Sequence, residues 1–451
     1  MWKKMMELKQ QIQSEYIKNK KQSDRMSNTK LIVFAAAVFG FILGAVFEPI
    51  KLLCYFLAIL VTVCFIILLA VHSRLLEKCE TEEKQLQIIE KYESRRNDDW
   101  QSFTDDGSSF ITEENKDLMD LNILGSHSLF QWLNIAYTKS GKRKLMKQLT
   151  KTEFDETSWK QTQRAVKEMT EHPLFGIKFQ AILSEIRNIH KLDLEEKKLY
   201  PSECKKPEWI SIIMGSVFAL AMLVSLVLGL SEMISFGTAG IMLLICLCNL
   251  CIFSYFHGAE YEEIEKCIRA FGKMERLISF VSEEQFKEDV VCQYQEKIRL
   301  GKMTMHRISK IASLYYAKEN MFSNVLFNVV FILNPLLVFL YRNTMKEGSA
   351  ILYDTMESIE KIELFIALAG VAWVKDTVCM PKKIKEISFS AKNMKHPLLT
   401  ESECIANDFS CGEEIVIITG SNMSGKSSFM RMIGVNLVLM YAGAYVNAEK
   451  F

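Results

Sequence analysis

The chain has 451 residues, enough for two or three domains, and 49 % of them are hydrophobic, a high share for a soluble protein. Lys and Arg number 55 against 54 Asp and Glu, so the net charge is +1; this excludes a global basic field for nucleic acid, while local patches remain open. The 12 cysteines show no disulfide framework.

The first 30 residues carry Lys3, Lys4, Lys9, Lys18, Lys20, Lys21, Arg25 and Lys30, a basic leader. Two uncharged stretches follow, Leu31–Phe47 and Leu52–Val71, separated by Glu48-Pro49-Ile50-Lys51. A second pair, Trp209–Leu230 and Met233–Phe256, is separated by Ser231-Glu232. Each is close to the ~20 residues a helix needs to cross a bilayer. Four buried helices of a soluble core would be the alternative, but that needs a core able to enclose helices apolar all round. The reading is therefore two transmembrane hairpins, residues 31–71 and 209–257. Lys and Arg favour the cytoplasmic side, so the N-terminus and the soluble parts are expected in the cytoplasm of a multi-pass protein of the cytoplasmic membrane. The first span is not a cleavable signal, because its leader is long and a second span follows at once. Cys246-x-Cys248-x-x-Cys251 superficially suggests a metal site, but it lies in an apolar span where Cys serves as a small hydrophobe.

Residues 72–109 are a charged helical run ending in the turn-rich linker Thr104-Asp-Asp-Gly-Ser-Ser109. From 110 to 208 the pattern is helical. It includes the basic cluster Lys139, Lys142, Arg143, Lys144 and Lys147, either a solvated helix face or a phosphate contact. After the second hairpin, 258–384 is again helical. Tyr261, Ile264, Ile268, Phe271, Met274, Ile278 and Val281 recur at helical spacing as one apolar stripe. Phe322–Tyr341 is uncharged, but it contains Asn324, Asn328, Asn334 and Pro335. As a fifth span it would move everything after it across the membrane, so it is read as a buried helix of the soluble domain.

In 385–451 the texture turns to short strand-like pieces, Glu386–Ser390 and His396–Leu399. Glu414–Thr419 then reads as a buried parallel strand. Gly420, Ser421, Asn422, Met423, Ser424, Gly425, Lys426, Ser427 and Ser428 follow, fitting the phosphate-loop pattern G-x-x-x-x-G-K-[ST]. A helix from Phe429 onward would turn its N-terminus toward the anion. The pattern needs backbone N–H groups to wrap phosphate, Lys426 to reach the β/γ oxygens and the Ser427 hydroxyl to ligate Mg²⁺. A nucleotidase of this kind also needs a later strand ending in an acid, for which Phe429–Phe451 leaves no room. The chain is thus expected to be an N-terminal piece, able to hold ATP and Mg²⁺ but not to hydrolyse ATP unaided.

These residues resemble the MutS-type DNA mismatch-repair ATPases. The match runs through Lys392-Asn-Met-Lys-His-Pro-Leu-Leu399, Ile405-Ala-Asn407, Ile418–Arg431 with its Asn422-Met423 and Met430-Arg431 pairs, and Ala442–Ala448. Gly125–Leu149 is similar to the opening of the family's helical core. With the four transmembrane helices read from the apolar spans, the resemblance implies a fold of several parts: a mostly α-helical core and lever and the start of a P-loop α/β ATPase domain. It implies ATP and Mg²⁺ as cofactors, Lys426 and Ser427 acting on the phosphates, Asn422–Gly425 as the cradle, Ile405 and Asn407 near the nucleoside, and a homodimer.

Three departures stand out. Cys404 occupies the place where the family commonly stacks an aromatic on adenine. Phe154-Asp155-Glu156 spells the family's DNA wedge but lies inside the core region. The hairpin at 209–257 stands where a DNA clamp would be inserted. The resemblance therefore points to a membrane-embedded branch whose ligand is mismatched or branched DNA. The alternative is a membrane remodelling or signalling ATPase without DNA. A transporter is disfavoured, because the spans carry no charges for a substrate path.

Overall fold

The computed structural model describes residues 1–451 except 48, 50, 152, 187–207, 232, 234, 319–322, 325–326, 329–331, 385–387 and 422–423. The chain opens with two long helices, α1 (Trp2–Val46) and α2 (Lys51–Asn97), packed against each other as a hairpin. The basic stretch 1–30 is not a separate leader: it is the polar half of α1, with no helix breaker before Leu31. Close approach in the apolar half depends on small residues four apart. A Cβ on Gly44 would stand 2.7 Å from the Tyr55 ring, and one on Gly40 would stand 3.1 Å from Ala58 Cβ. Phe34 and Phe65 meet across the pair at 5.5 Å between ring centroids.

The outward faces of this apolar half are bare: Leu31 is 74 % and Leu52 87 % exposed. The polar half is held by specific bonds instead. Lys9 pairs with Glu93 at 2.6 Å, Asn19 Nδ2 donates to Glu82 Oε1 at 2.7 Å, and Ser23 bonds His72 Nε2 at 3.0 Å.

A helical core follows, built from α3 (Leu129–Leu133), α4 (Lys139–Leu149), α5 (Glu156–Glu171) and α6 (Pro173–Ser184). Side chains cap three of these helices: Ser128 accepts from Gln131 N–H, Thr138 from Gly141 N–H, and Asp155 from Thr157 and Ser158 N–H. The second hairpin is α7 (Glu208–Leu230) and α8 (Phe236–Phe271). Helices α1 and α2 and the Ile212–Gly229 part of α7 are long and apolar enough to cross a membrane; the apolar stretch Gly240–Phe253 of α8 is shorter among the described residues.

Helix α8 runs on past the apolar stretch and supplies the first half of the expected stripe; α9 (Met274–Glu283) supplies the second. Ile264, Ile268, Phe271, Met274, Ile278 and Val281 are all buried. The break between the two helices falls at Gly272, where a Cβ would come within 2.5 Å of Ala312 Cβ. Helices α10 (Asp289–Leu300) and α11 (Lys302–Ala317) lead to α12 (Leu333–Val374). The helix expected over Phe322–Tyr341 is seen from Leu333 on, as the buried first turns of α12; most of 322–331 lies outside the described residues.

Helix α12 is the spine of the core and touches α2, α4, α5, α7, α10 and α11. Its second half, from Ile362 to Val374, is buried on every side. Tyr92 of α2 meets Trp373 edge-on at 5.4 Å, and Trp373 Nε1 donates to Thr170 O at 3.1 Å. After α12 come β1 (Phe389–Met394), β2 (Asn407–Cys411), which pairs antiparallel with β1, and α13 (Lys426–Tyr441). The strand-like reading of His396–Leu399 gives way to a turn, and part of Glu386–Ser390 lies outside the described residues.

Candidate nucleotide-binding site

The residues of the expected phosphate loop lead into α13, whose first residue is Lys426. Gly425 is left-handed at φ 85° and forms the N-cap, a conformation a side chain would strain. No side chain caps this helix, so its first-turn N–H groups stay available to an anion. Helix start at Lys426 rather than Phe429 brings Lys426, Ser427 and Ser428 into that first turn.

Lys426 Nζ donates back to Ser421 O at 2.6 Å and to Gly420 O. A Cβ on Gly420 would stand 2.8 Å from Ser424 Oγ, so the loop closes tightly there. Asn422 and Met423 lie outside the described residues.

Beside the loop is a cleft of about 490 Å³ lined by Ile405, Asn407, Ser424, Gly425, Lys426 and Ser428 from the expected set. Gly420 and Ser421 join only through their carbonyls on Lys426, and Ser427 is exposed on the helix without lining the cleft. His396, Leu399, Glu403, Cys404, Ile418, Thr419, Phe429 and Met432 complete the walls. Of these, His396 and Leu399 carried a signal in the His-Pro-Leu-Leu block. Phe429 lay within the Ile418–Arg431 match, and its ring meets Phe409 edge-on at 5.7 Å.

Local irregularities set the cleft's mouth. Asn393 sits at φ 54°, its N–H bound to Asp408 Oδ1 at 2.7 Å, and the register of β1 against β2 slips between Ala391 and Met394. That slip pairs Met394 with Asn407, the residue at the cleft. Behind the loop, Asn436 is fully buried and fully used. Its Nδ2 donates to Lys395 O at 2.9 Å and Met432 O at 2.8 Å, and its Oδ1 accepts from Asn447 N–H at 2.9 Å. One amide thus ties α13 to the His396 turn and to the Ala442–Ala448 stretch.

The expected buried strand Glu414–Thr419 is absent. Ile415 is 91 % and Ile417 80 % exposed, and the segment forms no ladder. A parallel strand needs a neighbour for its N–H and C=O groups. Among the described residues the only strands are β1 and β2, which pair with each other.

No family model matches the chain. It is 42 % identical over 65 residues to a mitochondrial DNA mismatch repair protein mutS homolog of Sarcophyton glaucum, covering 14 % of this chain and 7 % of that protein. Against MutS protein homolog 4 of Candida albicans it is 25 % identical over 159 residues, 34 % of this chain and 20 % of the relative. Against the DNA mismatch repair protein MutS of Thermus aquaticus it is 31 % identical over 110 residues, 24 % and 13 %. Its curated homologues are MutS-family DNA mismatch repair proteins. The matched stretches span no more than 20 % of the length of these three relatives.

Two departures from the MutS-type pattern now have a physical setting. Cys404, where the pattern has an aromatic, accepts the His396 N–H on Sγ at 3.0 Å, and burial pushes its thiol pKa up. His396 is itself pushed down to about 4 by burial and by the charges of Lys375 and Arg431; its Nδ1 accepts the Leu398 N–H at 3.2 Å. This wall of the cleft is therefore lined by a neutral thiol and a neutral imidazole.

Phe154 is 38 % exposed and leans against Trp159 at 5.4 Å and Tyr441 at 6.0 Å, while Asp155 caps α5 and Glu156 pairs with Lys160 and Lys383. In the basic cluster of α4, Lys142 pairs with Asp105 and Lys144 with Glu360.

Proposed function

We propose that this chain is a membrane-anchored, ATP-binding MutS-type protein in which the nucleotide state governs a helical core that holds mismatched or branched DNA. The observation that carries the reading is the phosphate-loop sequence opening an uncapped α13 beside a cleft, in a chain whose curated homologues are MutS proteins. The left-handed Gly425 and the tight Gly420–Ser424 approach fit a loop wrapped on phosphate. Lys426 would leave its own loop carbonyls for the β/γ oxygens, exchanging two neutral acceptors for a charged one.

Mg²⁺, held by the Ser427 hydroxyl together with nucleotide oxygens and water, would neutralise phosphate charge. Among the described residues no cluster of three His, Cys, Asp or Glu side chains competes for it. Ile405 and Asn407 would flank the nucleoside, which fits their place on the cleft wall.

The bare apolar faces of α1, α2 and α7 support insertion in a bilayer. Basic residues on the polar half of α1 support a cytoplasmic N-terminus and cytoplasmic soluble parts. By the same resemblance the protein works as a homodimer.

A second reading keeps the nucleotide and drops the DNA: a membrane remodelling or signalling ATPase. Near-neutral charge favours it. A salt-dependent mobility-shift assay of the full chain with duplex, mismatched and branched DNA decides between them. Tight, structure-selective binding that weakens as salt rises supports the first reading; equal, weak binding to all three supports the second.

A further inference from the structure

A second pocket, of about 490 Å³, lies where α2 meets the core and is separate from the nucleotide cleft. Its walls come from α2, from Ser102–Asp105, from Asn134–Tyr137 and from α4. Three cations line it, Lys91, Arg95 and Lys142, against a single carboxylate, Asp105, which Lys142 already holds.

Arg95 is the telling residue. Only 5 % of it is exposed, with the guanidinium between the Tyr92 and Phe103 rings at 5.0 and 5.2 Å from their centroids. Its Nε donates to Trp132 O at 2.5 Å and its Nη2 to Asn134 O at 3.1 Å, both neutral acceptors. Its Nη1 is buried without a hydrogen-bond partner, and among the described residues no carboxylate pairs with the group. A buried guanidinium is retained where something compensates its charge. Gln131 and Gln180 spend their amide N–H groups on Gln101 O, Phe103 O, the Tyr92 hydroxyl and Gly176 O, so the wall offers an anion chiefly its cations, with Lys91 standing over the Tyr137 ring at 5.8 Å.

We propose that this pocket binds a small phosphate-bearing ligand, taken by Arg95, Lys91 and Lys142. The site would sit at the joint between the first hairpin and the core, about the size of a small-molecule pocket.

The test uses the full chain in detergent with Lys426→Ala, which disables the phosphate loop, and follows the thermal midpoint. Inorganic phosphate, AMP and, as a carboxylate control, glutamate are titrated at constant ionic strength. Phosphate or AMP raises the midpoint saturably and glutamate does not. Adding Lys91→Ala weakens that response about 10-fold, the size of one charge-assisted hydrogen bond, without lowering the ligand-free midpoint. Lys142→Gln serves as the second variant, since Arg95 also braces two core carbonyls. AMP binding more tightly than phosphate assigns a phosphate monoester; equal binding assigns free phosphate. Indifference to both at about 10 mM, an equal response to glutamate, or a response unchanged within about two-fold in both variants overturns the proposal.

Discussion

At the residue scale, one buried acid of the core, Glu363, is expected to make stability depend on pH. Glu360 and Glu363 on α12 both face α4: Glu360 holds Lys144 at 2.8 Å and takes the Ser140 hydroxyl, while Glu363 Oε1 accepts the Tyr137 N–H at 2.8 Å. Glu363 Oε2 has no partner, and burial, which outweighs the Tyr137 bond, pushes the carboxyl up to about 8. A folded-state pKa above the unfolded value means that the acid stabilises the fold below about 4.5 and that this contribution fades as pH rises through about 8. Glu363→Gln, neutral throughout, should therefore gain on the parent by a few kcal/mol, in order of magnitude, between pH 5 and pH 8. Thermal midpoints of the two proteins at both pH values check this; parallel pH profiles would show that Glu363 is ionised at neutral pH.

At the element scale, the end of α2 is bolted to the residues that lead from the core into the nucleotide cleft. Arg96 donates to Val374 O at 2.7 Å and makes a two-pronged pair with Asp376 at 2.9 and 2.6 Å. Between those two residues, Lys375 is buried, pushed down to about 8 by that burial, and donates to Leu399 O at 2.6 Å. Leu399 lines the cleft, so one chain of contacts runs from the first hairpin to the cleft wall. Arg96→Ala should weaken nucleotide binding by about 3- to 10-fold, and Arg96→Lys, which keeps charge but loses the fork, should recover part of it. Nucleotide titration of the folded variants measures this; an unchanged Kd in Arg96→Ala would disconnect α2 from the cleft.

The amphipathic stripe from Ile264 to Val281 was legible in the sequence because burial repeats with the helical period, and a left-handed turn into a helix was legible at Gly425 because only glycine adopts that backbone without strain. Continuity of α1 was harder to read. Its basic half looks like a free leader until Asn19, Ser23 and Lys9 find partners on α2, and no local pattern encodes partners more than 40 residues away. Ile415–Ile417 shows the reverse failure: apolar β-branched residues announce strand propensity, but a strand exists only where another chain segment accepts its hydrogen bonds. The Arg95 pocket belongs to the same class, assembled from α2, a turn and α4 by tertiary packing alone.

At the scale of the whole molecule, the core is one packed unit that includes the nucleotide segment. Met432, Val435 and Leu439 of α13 belong to the same buried cluster as Trp132, Phe175 and Trp373. Trp159 Nε1 donates to Met440 O at 2.6 Å, and Gln148 Nε2 to Ala442 O at 2.9 Å, so α4 and α5 hold the far end of the loop helix. A change at the loop therefore meets a packed core with few soft joints, and that core continues into two apolar hairpins. The account rests on the loop holding nucleotide. Its most direct test is ATP binding with Mg²⁺ by the full chain in detergent, compared with Lys426→Ala. The account predicts saturable binding that falls at least about 10-fold in the variant, as loss of a charged phosphate contact requires; binding of equal strength in both proteins would contradict it.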